Sequence, residues 1–265
     1  MTFNHKWVWI TGASSGIGEH LAYAFSRQGA HLILSSRQQP ALEKVRAACA
    51  HPDKVEIVPL DVADLDSVQR TAREVLDRYG LPDILVNNAG ISQRALAAET
   101  VVEVDMQIMQ VNYFGTVALI KALLPEMIRQ RKGHIVSISS VMGLFGAPWR
   151  TAYCASKHAM NGFHEGLRAE LHPYGIPVTV IMPGYVNTNV TINALKGDGS
   201  KHAVKAKTTA SGWEPDYFAR RALRVIASRR REAILAGPRE WLACTLKRFL
   251  PGVLHRVLNN IKASE

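Results

Sequence analysis

Short runs rich in β-branched residues alternate with longer segments of helical periodicity along most of this chain. Seven such runs occur, at residues 7–10, 31–36, 55–60, 84–88, 134–139, 177–182 and 232–237. Amphipathic segments separate them, including 17–28, 64–79, 103–131, 151–172 and 215–230. Because strands joined by helical crossovers run parallel with helices on both faces, the pattern predicts an α/β fold with a doubly wound, seven-stranded parallel sheet.

Composition indicates how many domains the chain forms and in which cellular compartment it is expected. With 265 residues, 47% of them hydrophobic, the chain can bury one large core, so we expect one domain. No window reaches about 18 apolar residues, which predicts neither a signal peptide nor a membrane span. Cys49, Cys154 and Cys244 lack metal-ligand spacing, which favours a reducing, cytoplasmic location. No metal site is predicted, and the histidines are interpreted as surface or helix residues, namely His20, His134, His158, His164 and His172.

The positive charge of the chain is concentrated in its last quarter. Residues 196–265 contain 15 of the 32 basic residues and 6 of the 22 acidic ones. Residues 238–265 are interpreted as a basic amphipathic extension of the domain formed by 1–237, broken at Pro251 and Gly252. The apolar stripe could dock on the protein's own pocket, on a second subunit or in a membrane interface. The stripe comprises Trp241, Leu242, Leu246, Phe249, Leu250, Val253, Leu254, Val257, Leu258 and Ile261, mostly opposite Arg239, Lys247 and Arg248.

The sequence TGASSGIG, residues 11–18, stands between the first strand and the first helix. Gly12 permits a tight turn, Gly16 lets the backbone approach a pyrophosphate, and Gly18 allows close helix packing. Such a turn can be purely structural, but at the first strand–helix junction it predicts a Rossmann-type dinucleotide site. The predicted contacts from this loop are Gly12, Ser14, Ser15, Gly16, Ile17 and Gly18.

The residues after the second strand indicate which dinucleotide is bound. An acidic residue there would hydrogen-bond a ribose 2′-hydroxyl, but Ser36 and Arg37 occupy this place and the next carboxylate is Glu43. A guanidinium pairs with a 2′-phosphate that a carboxylate would repel, so the sequence favours NADP over NAD. The alternative is that Arg37 is an ordinary solvated arginine.

Tyr153 and Lys157 lie four residues apart, which places a phenol and an ammonium on one face of a helix. A positive charge beside the phenol would stabilise phenolate and lower its pKa, which suits a group that moves one proton. Ser140, at the end of the fifth strand, can donate a hydrogen bond to a substrate oxygen. A tyrosine and a lysine also occur at this spacing by chance on many helices.

Six motifs in a fixed order resemble those of the short-chain dehydrogenases/reductases over about residues 6–237. They are TGASSGIG, NNAG at 87–90, Asn112 in MQVNYFG, Ser140, YCASK at 153–157 and PGYVNT at 183–188. Within that family, the segment GYVNTNVTINALKGDGS, residues 184–200, is similar to the orphan dehydrogenase/reductase branch near the hydroxysteroid dehydrogenases. Each accessory motif alone could be an ordinary turn or surface residue.

The resemblance implies a role for each matching position. Tyr153 would be the general acid/base, Ser140 would orient the carbonyl, and Lys157 would also bind the nicotinamide ribose. Asn112, by interrupting its helix, would hold a water that connects Lys157 to solvent. The further implied cofactor contacts are Asp61, Val62, Asn88, Ala89, Gly90, Pro183, Gly184, Val186 and Thr188.

These residues predict hydride transfer from NADPH to a ketone or aldehyde, with alcohol oxidation by NADP or NAD as the alternative direction. Met142, Leu144, Phe145 and Tyr185 indicate a lipophilic substrate, and residues 190–213 suggest a mobile lid. The resemblance implies a homodimer or homotetramer formed through the segments 103–131 and 151–172. A non-catalytic cofactor sensor remains a second hypothesis, whereas the helical stripes of the tail argue against nucleic-acid binding.

Overall fold

The computed structural model describes residues 3–204 and 206–260. Within them, seven strands form one sheet in the order β3-β2-β1-β4-β5-β6-β7, and every neighbouring pair is parallel. The predicted doubly wound parallel sheet is therefore confirmed, with strand ends shifted by at most three residues. The strands are β1 (Trp7–Thr11), β2 (His31–Ser35), β3 (Val55–Ile57), β4 (Ile84–Asn87), β5 (Ile135–Ile138), β6 (Val178–Pro183) and β7 (Glu232–Leu235).

Helices cover both faces of the sheet and continue beyond its last strand. The first six are α1 (Gly16–Ser26), α2 (Gln39–Ala48), α3 (Leu65–Tyr79), α4 (Val102–Met109), α5 (Gly115–Gln130) and α6 (Thr151–Leu171). They are followed by the short α7 (Lys207–Ala210), then α8 (Pro215–Ala227), α9 (Pro238–Phe249) and α10 (Pro251–Asn259).

Both faces of the sheet are buried, which explains why its strands are nearly continuous apolar runs. Side chains alternate across a strand, so Val8 and Ile10 of β1 join the core beneath α1 and α8. Trp9, between them, faces the opposite core with Leu119 of α5 and Val68 of α3. The sheet thus supports two separate cores and is held rigidly between them.

The strand order reverses beside β1, because β2 and β3 lie on one side of it and β4 to β7 on the other. The connections leave this point in opposite directions and open a crevice at the carboxyl ends of β1 and β4. Residues that follow β1, β4, β5 and β6 therefore meet at one edge of the sheet.

The predicted helix over 103–131 is interrupted in the structure. A π-helical turn, Gln110–Phe114, separates α4 from α5 and contains the buried Asn112. Among the described residues this continuous segment, Val102–Gln130, is the one helix whose length and composition would allow it to cross a membrane. It packs against α3 and α6 and supplies Leu119, Ile120 and Leu123 to the core, as expected for the central helix of a globular fold.

The C-terminal helices α9 and α10 pack on the loop that follows β5. Cys244 of α9 and Leu254 of α10 are buried in a cluster with Met142, Phe145 and Cys154. Docking on the protein itself, one of the alternatives that the sequence left open, is therefore observed for part of the predicted stripe, namely Leu246, Leu254 and Leu258. The other described residues of the stripe are exposed, namely Trp241, Leu242, Phe249, Leu250, Val253 and Val257. The opposite face remains exposed, and Ile261 lies outside the described residues.

Candidate active site

The loop after β1 has a backbone that only glycine accommodates well. Gly12 and Gly16 have φ angles of 63° and 60°, in the left-handed region. A Cβ atom on Gly12 would lie 2.8 Å from the Cα of Ala89, and one on Gly18 would lie 2.4 Å from the carbonyl oxygen of Gly12. The loop therefore packs directly on the end of β4 and on the start of α1.

The glycine loop and the start of α1 together present backbone amides that a ligand could bind. The carboxylate of Glu19 accepts a hydrogen bond from the amide of Gly16 at 3.2 Å. Among the described residues, the amides of Ser14, Ser15 and Ile17 have no hydrogen-bond acceptor. Free amides at a helix N-terminus bind phosphate, so this cradle fits the pyrophosphate of a dinucleotide.

Asn88 braces the glycine turn from the adjacent strand. Its side-chain amide donates to the carbonyl oxygens of Thr11 at 3.0 Å and of Gly12 at 3.1 Å. In return, the hydroxyl of Thr11 accepts the backbone amides of Asn88 and Ala89, both at 3.1 Å. The side chain of Asn88, expected to line the cofactor, is therefore engaged in positioning the loop.

The far end of the crevice contains the residues expected beside the adenosine. The carboxylate of Asp61 accepts the amide of Ala63 at 3.0 Å, and Val62 is buried beside it. Arg37 follows β2 at an exposed position and makes no hydrogen bond or ion pair with residues 3–204 or 206–260. Its guanidinium is available to a ligand at this end of the site.

Asn112 connects the β4 loop to α6, the helix that carries Tyr153. Its side-chain oxygen accepts the amide of Ile91 at 2.8 Å, and its amide donates to the carbonyl of Ile91 and the hydroxyl of Ser156, each at 2.9 Å. Gly90 lies beside it, where a Cβ atom would be 3.2 Å from the Asn112 oxygen and 3.7 Å from Lys157 Nζ. These contacts bring Gly90, Asn112 and Lys157 to one point.

Ser140 and Tyr153 face each other across the cleft, as the sequence predicts. Ser140 Oγ accepts the amide of Met142 at 3.1 Å, which fixes the serine at the start of the loop. Burial raises the pKa of Tyr153, whereas the hydrogen bond with Ser140 and the charge of Arg150 act to lower it. Burial outweighs both, so the pKa of Tyr153 stands above that of a free phenol, opposite to the lowering expected from the sequence.

Lys157 is buried beside the tyrosine. Its ammonium donates to the carbonyl oxygen of Ile138 at 3.0 Å and lies 5.8 Å from the centroid of the Tyr153 ring. Burial lowers the pKa of Lys157 to about 8. The lysine is therefore held below the tyrosine ring at the carboxyl end of β5, within the predicted constellation.

The segment after β6 closes the site from the other side. Pro183 ends the strand, Gly184 packs against Ala236, and Val186 is buried. The side chain of Thr188 lies over the glycine loop, since a Cβ atom on Gly16 would be 3.2 Å from its methyl group. The β1 and β6 loops therefore meet across the crevice, where the carboxamide and phosphate contacts were expected.

The predicted lid, 190–213, reaches the catalytic cleft but is anchored along much of its described length. Val190 and Thr209 line the cleft, whereas Leu195 donates and accepts backbone hydrogen bonds with Ser92 and Arg94, both at 2.8 Å. Gly197 packs so closely on the Glu99 carbonyl that a Cβ atom there would be 1.9 Å from it. If the lid opens, the segments on either side of this anchored part must therefore move.

Two features of the site were missed by sequence reasoning. Arg150 lines the cleft beside Ser140 and Tyr153, yet nothing in its sequence context separates it from a surface arginine. An open groove of about 680 Å³, lined by other residues than the cleft, also lies between the loop 146–148 and α10, with Cys154 and Leu258 in its wall. The docking of a distant helix creates this space, which no local pattern indicates.

Two histidines interpreted as surface or helix residues are core residues in the structure. His134 lies 2.8 Å from Thr179 Oγ1, and His164 of α6 lies 2.6 Å from Ser137 Oγ and 2.7 Å from the carbonyl of Met160. Burial lowers the pKa of each to about 4, so both are neutral at pH 7. Among the described residues, no group of three or more His, Cys, Asp or Glu side chains could hold a metal ion.

Comparison with known proteins agrees with this geometry. Residues 6–198 match the sequence profile of the family described as short chain dehydrogenase. The chain is 44% identical over 257 residues to dehydrogenase/reductase SDR family member 7B of Xenopus laevis, covering 94% of this chain and 80% of that protein. It is 45% identical over 255 residues to dehydrogenase/reductase SDR family protein 7-like of Drosophila melanogaster, covering 94% and 78%.

Solved structures show the same fold. A short-chain dehydrogenase from Streptomyces avermitilis superposes with a TM-score of 0.81 at 32% identity, covering 97% of this chain and 94% of that chain. A short-chain dehydrogenase/reductase from Burkholderia phymatum in complex with NAD gives 0.82 at 25% identity, with coverage of 100% and 99%. An alcohol dehydrogenase from Thermococcus sibiricus complexed with 5-hydroxy-NADP gives 0.73 at 28% identity, with coverage of 88% and 96%.

Proposed function

The chain belongs to the short-chain dehydrogenase/reductase family, whose members are oxidoreductases that use a nicotinamide cofactor, and from that premise we propose that it reduces a lipophilic ketone or aldehyde with NADPH. The same residues serve the reverse oxidation of a secondary alcohol with NADP. The observation that carries the proposal is the meeting of Ser140, Tyr153 and Lys157 at one end of the crevice, with Asn112 tied to the same helix.

Each of these residues has a definite task in the proposed reaction. The bound nicotinamide supplies the hydride. Ser140 donates a hydrogen bond to the substrate oxygen, and Tyr153 delivers the proton to that oxygen as negative charge develops on it. Lys157, positively charged below its pKa of about 8, then stabilises the tyrosinate that remains. Asn112 positions Ser156 and the Ile91 backbone around the lysine.

Arg37 supports NADP as the cofactor. It follows β2 at the position where the ribose 2′-substituent of a Rossmann dinucleotide is recognised, and its guanidinium has no partner among the described residues. Of the two ligand-bound structures, the Burkholderia phymatum protein contains NAD and the Thermococcus sibiricus protein contains 5-hydroxy-NADP, so the preference of this chain depends on its own residues. A guanidinium binds a phosphate through paired charge-assisted hydrogen bonds, which a ribose hydroxyl cannot match.

The surroundings of the cleft favour a lipophilic substrate. Val141, Met142, Tyr185, Val186 and Val190 line it, and α9 and α10 close over the neighbouring loop.

Assembly and location are part of the proposal. Val102 and Met106 of α4 and Phe114 of the π-helical turn are exposed at 61%, 66% and 46%, and this apolar row suits the subunit contact of a homodimer or homotetramer. On the outer face of α9 and α10, Trp241 and Phe249 are exposed at 56% and 70% next to Lys247 and Arg248. We infer peripheral contact of a cytoplasmic enzyme with an anionic membrane surface through this face.

The first test is titration of the purified protein with NADPH and NADH, following fluorescence of the reduced nicotinamide. We expect NADPH to bind at least tenfold more tightly, and Arg37→Gln to remove that difference while leaving NADH binding unchanged. Equal affinities in the unmodified protein would contradict the role of Arg37, and binding of neither cofactor would contradict the proposed function.

The second test is turnover of a series of lipophilic ketones. Tyr153→Phe keeps the ring but removes the proton donor, so kcat should fall at least 1,000-fold, about 4 kcal/mol in barrier, with NADPH affinity retained. Tyr217→Phe, on the exposed face of α8, is the matched control and should leave kcat unchanged.

A further inference from the structure

Arg150 is the one charged side chain among the described residues that line the catalytic cleft. It shares this wall with Ser140 and Tyr153, the two residues that contact the reacting oxygen in the proposed reaction. Its guanidinium makes no hydrogen bond or ion pair with residues 3–204 or 206–260, and it lies 5.9 Å from the centroid of the Tyr185 ring. A partly buried guanidinium without an acidic partner loses hydration that the protein does not replace.

The position of Arg150 is fixed by the backbone around it. The amide of Ala95 donates to the carbonyl of Trp149 at 3.1 Å, and the amide of Ala152 donates to the side-chain oxygen of the buried Gln93 at 2.9 Å. Trp149 has a φ angle of 69°, in the left-handed region, which few bulky residues adopt. The segments 93–95 and 149–152 are thus clamped together, with Arg94 on one and Arg150 on the other.

The charge of Arg150 acts on the neighbouring Arg94 and on Tyr153. Burial, and after it the charge of Arg150, lowers the pKa of Arg94. Glu240 is the carboxylate that reaches the backbone of Tyr185, at 3.4 Å from its amide, but it forms no ion pair with Arg150. The cleft therefore carries a positive potential next to its reacting centre, and the described carboxylates leave Arg150 without an ion pair.

We propose that Arg150 binds an anionic group, a carboxylate or a phosphate monoester, on the substrate close to its reactive carbonyl. This inference rests on the proposed function and adds a substrate class to it, an amphiphile with an apolar chain and an acidic head. The planar guanidinium suits both acids because each presents two oxygens to its paired N–H donors. The apolar wall of the cleft receives the chain, and Arg150 orients the head.

The test compares ketones that differ only in the head group. A medium-chain oxocarboxylate, its methyl ester and the corresponding oxoalkyl phosphate are assayed with the unmodified protein, Arg150→Gln and Arg150→Lys. We expect kcat/KM for at least one acid to exceed that for the ester at least tenfold, and this preference to vanish in Arg150→Gln. Arg150→Lys should retain part of it, and the acid that is preferred identifies the head group.

A matched control distinguishes head-group binding by Arg150 from the general loss of a surface charge. Arg221 also lies over an aromatic ring, 6.0 Å from the centroid of Tyr217, but on the exposed surface of α8, so Arg221→Gln should change nothing. If Arg150→Gln slows the acids and the ester equally, Arg150 acts through Tyr153 and the proposal is wrong.

Binding of non-reactive ligands gives an answer that requires neither turnover nor cofactor. Dodecanoate, dodecyl phosphate and dodecanol are titrated against tryptophan fluorescence of the full chain. We expect at least one anion to bind at least tenfold more tightly than the alcohol, with the difference lost in Arg150→Gln. Equal binding of all three would overturn the proposal even if ketone reduction were observed, whereas failure of ketone reduction alone would count only against the proposed function.

Discussion

The ammonium of Lys157 donates a hydrogen bond to the carbonyl oxygen of Ile138 at 3.0 Å, deep beneath the ring of Tyr153. This contact ties α6 to the carboxyl end of β5, next to the loop that begins with Ser140. The lysine is held there by one carbonyl oxygen and the thioether of Met160, without a carboxylate in ion-pair contact among the described residues.

Lys157→Met should therefore stabilise the fold while abolishing activity. Because burial lowers the pKa of Lys157 from 10.5 to about 8, keeping it charged below pH 8 costs the native state about 3 kcal/mol. The variant gains this free energy but loses the hydrogen bond from Lys157 to Ile138, which offsets about 1 kcal/mol of the gain. The free energy of unfolding should therefore rise by about 2 kcal/mol at pH 7. Denaturation by urea measures this change, and kcat should fall at least 100-fold.

The pH dependence of that stabilisation follows from the sign of the shift. The unfolded lysine binds a proton more tightly than the folded one, so the cost is full below about pH 8 and disappears as pH rises towards 10.5. The advantage of Lys157→Met should shrink over that range. A variant that is less stable than the unmodified protein at pH 7 would contradict this account.

Gly18→Ala should distort the glycine loop that is expected to bind the cofactor. A Cβ atom there would be 2.4 Å from the Gly12 carbonyl oxygen, so the turn that presents the free amides must shift. We expect NADPH affinity to fall at least tenfold and the free energy of unfolding to fall by about 1–3 kcal/mol. Gly252→Ala is the control, since a Cβ atom there meets no atom within 4 Å, and it should leave NADPH affinity unchanged.

The buried histidines should make the fold sensitive to mild acid. Burial lowers the folded-state pKa of His134 and His164 from 6.5 to about 4, so between these values the unfolded chain binds more protons. Stability is full above about pH 6.5 and falls as pH decreases, by up to about 2 kcal/mol for each histidine between pH 7 and pH 5. Chemical denaturation at both pH values measures the loss.

Replacing one buried histidine isolates its contribution to the loss of stability between pH 7 and pH 5. His134→Gln keeps a hydrogen-bonding side chain opposite Thr179 and removes the titration, so its stability should change less between pH 7 and pH 5. His172→Gln, at an exposed position, should behave like the unmodified protein. Identical pH dependence in His134→Gln and the unmodified protein would show that acid sensitivity arises elsewhere.

Leu254→Ala should loosen α9 and α10 from the rest of the protein. Leu254 is 2% exposed and packs in the cluster that contains Met142 and Phe145, so truncation removes about 2–4 kcal/mol of local packing. Because the free energy is lost locally, limited proteolysis between residues 238 and 260 should accelerate, and KM for lipophilic ketones should rise. Val257→Ala, at an exposed position on the same helix, should change neither.

Much of the fold and of the cofactor loop is visible in the sequence because it depends on local patterns. Seven apolar runs predict seven strands, since a strand buried on both faces must be apolar at nearly every position. Gly12, Gly16 and Gly18 predict the loop because backbone angles and close contacts exclude other residues there. Tyr153 and Lys157 share a face through helical spacing alone.

Other features could not be derived because they depend on residues far apart in the chain. The pKa of Tyr153 reflects burial and the charge of Arg150, and the pKa of His134, whose ring contacts Thr179, reflects burial and the charge of Arg229. The role of Asn88 appears only when β1 and β4 lie side by side.

By itself, the sequence determined the sheet, the glycine loop and the placement of Tyr153 and Lys157 on one helix, because periodicity, backbone angles and residue spacing act over a few positions. Only the tertiary structure decided which face of the C-terminal helices is buried, which arginine lines the cleft beside Ser140 and Tyr153, and whether the titratable groups are charged. Burial and electrostatic potential are sums over all the atoms that surround a group, and only folding brings those atoms together.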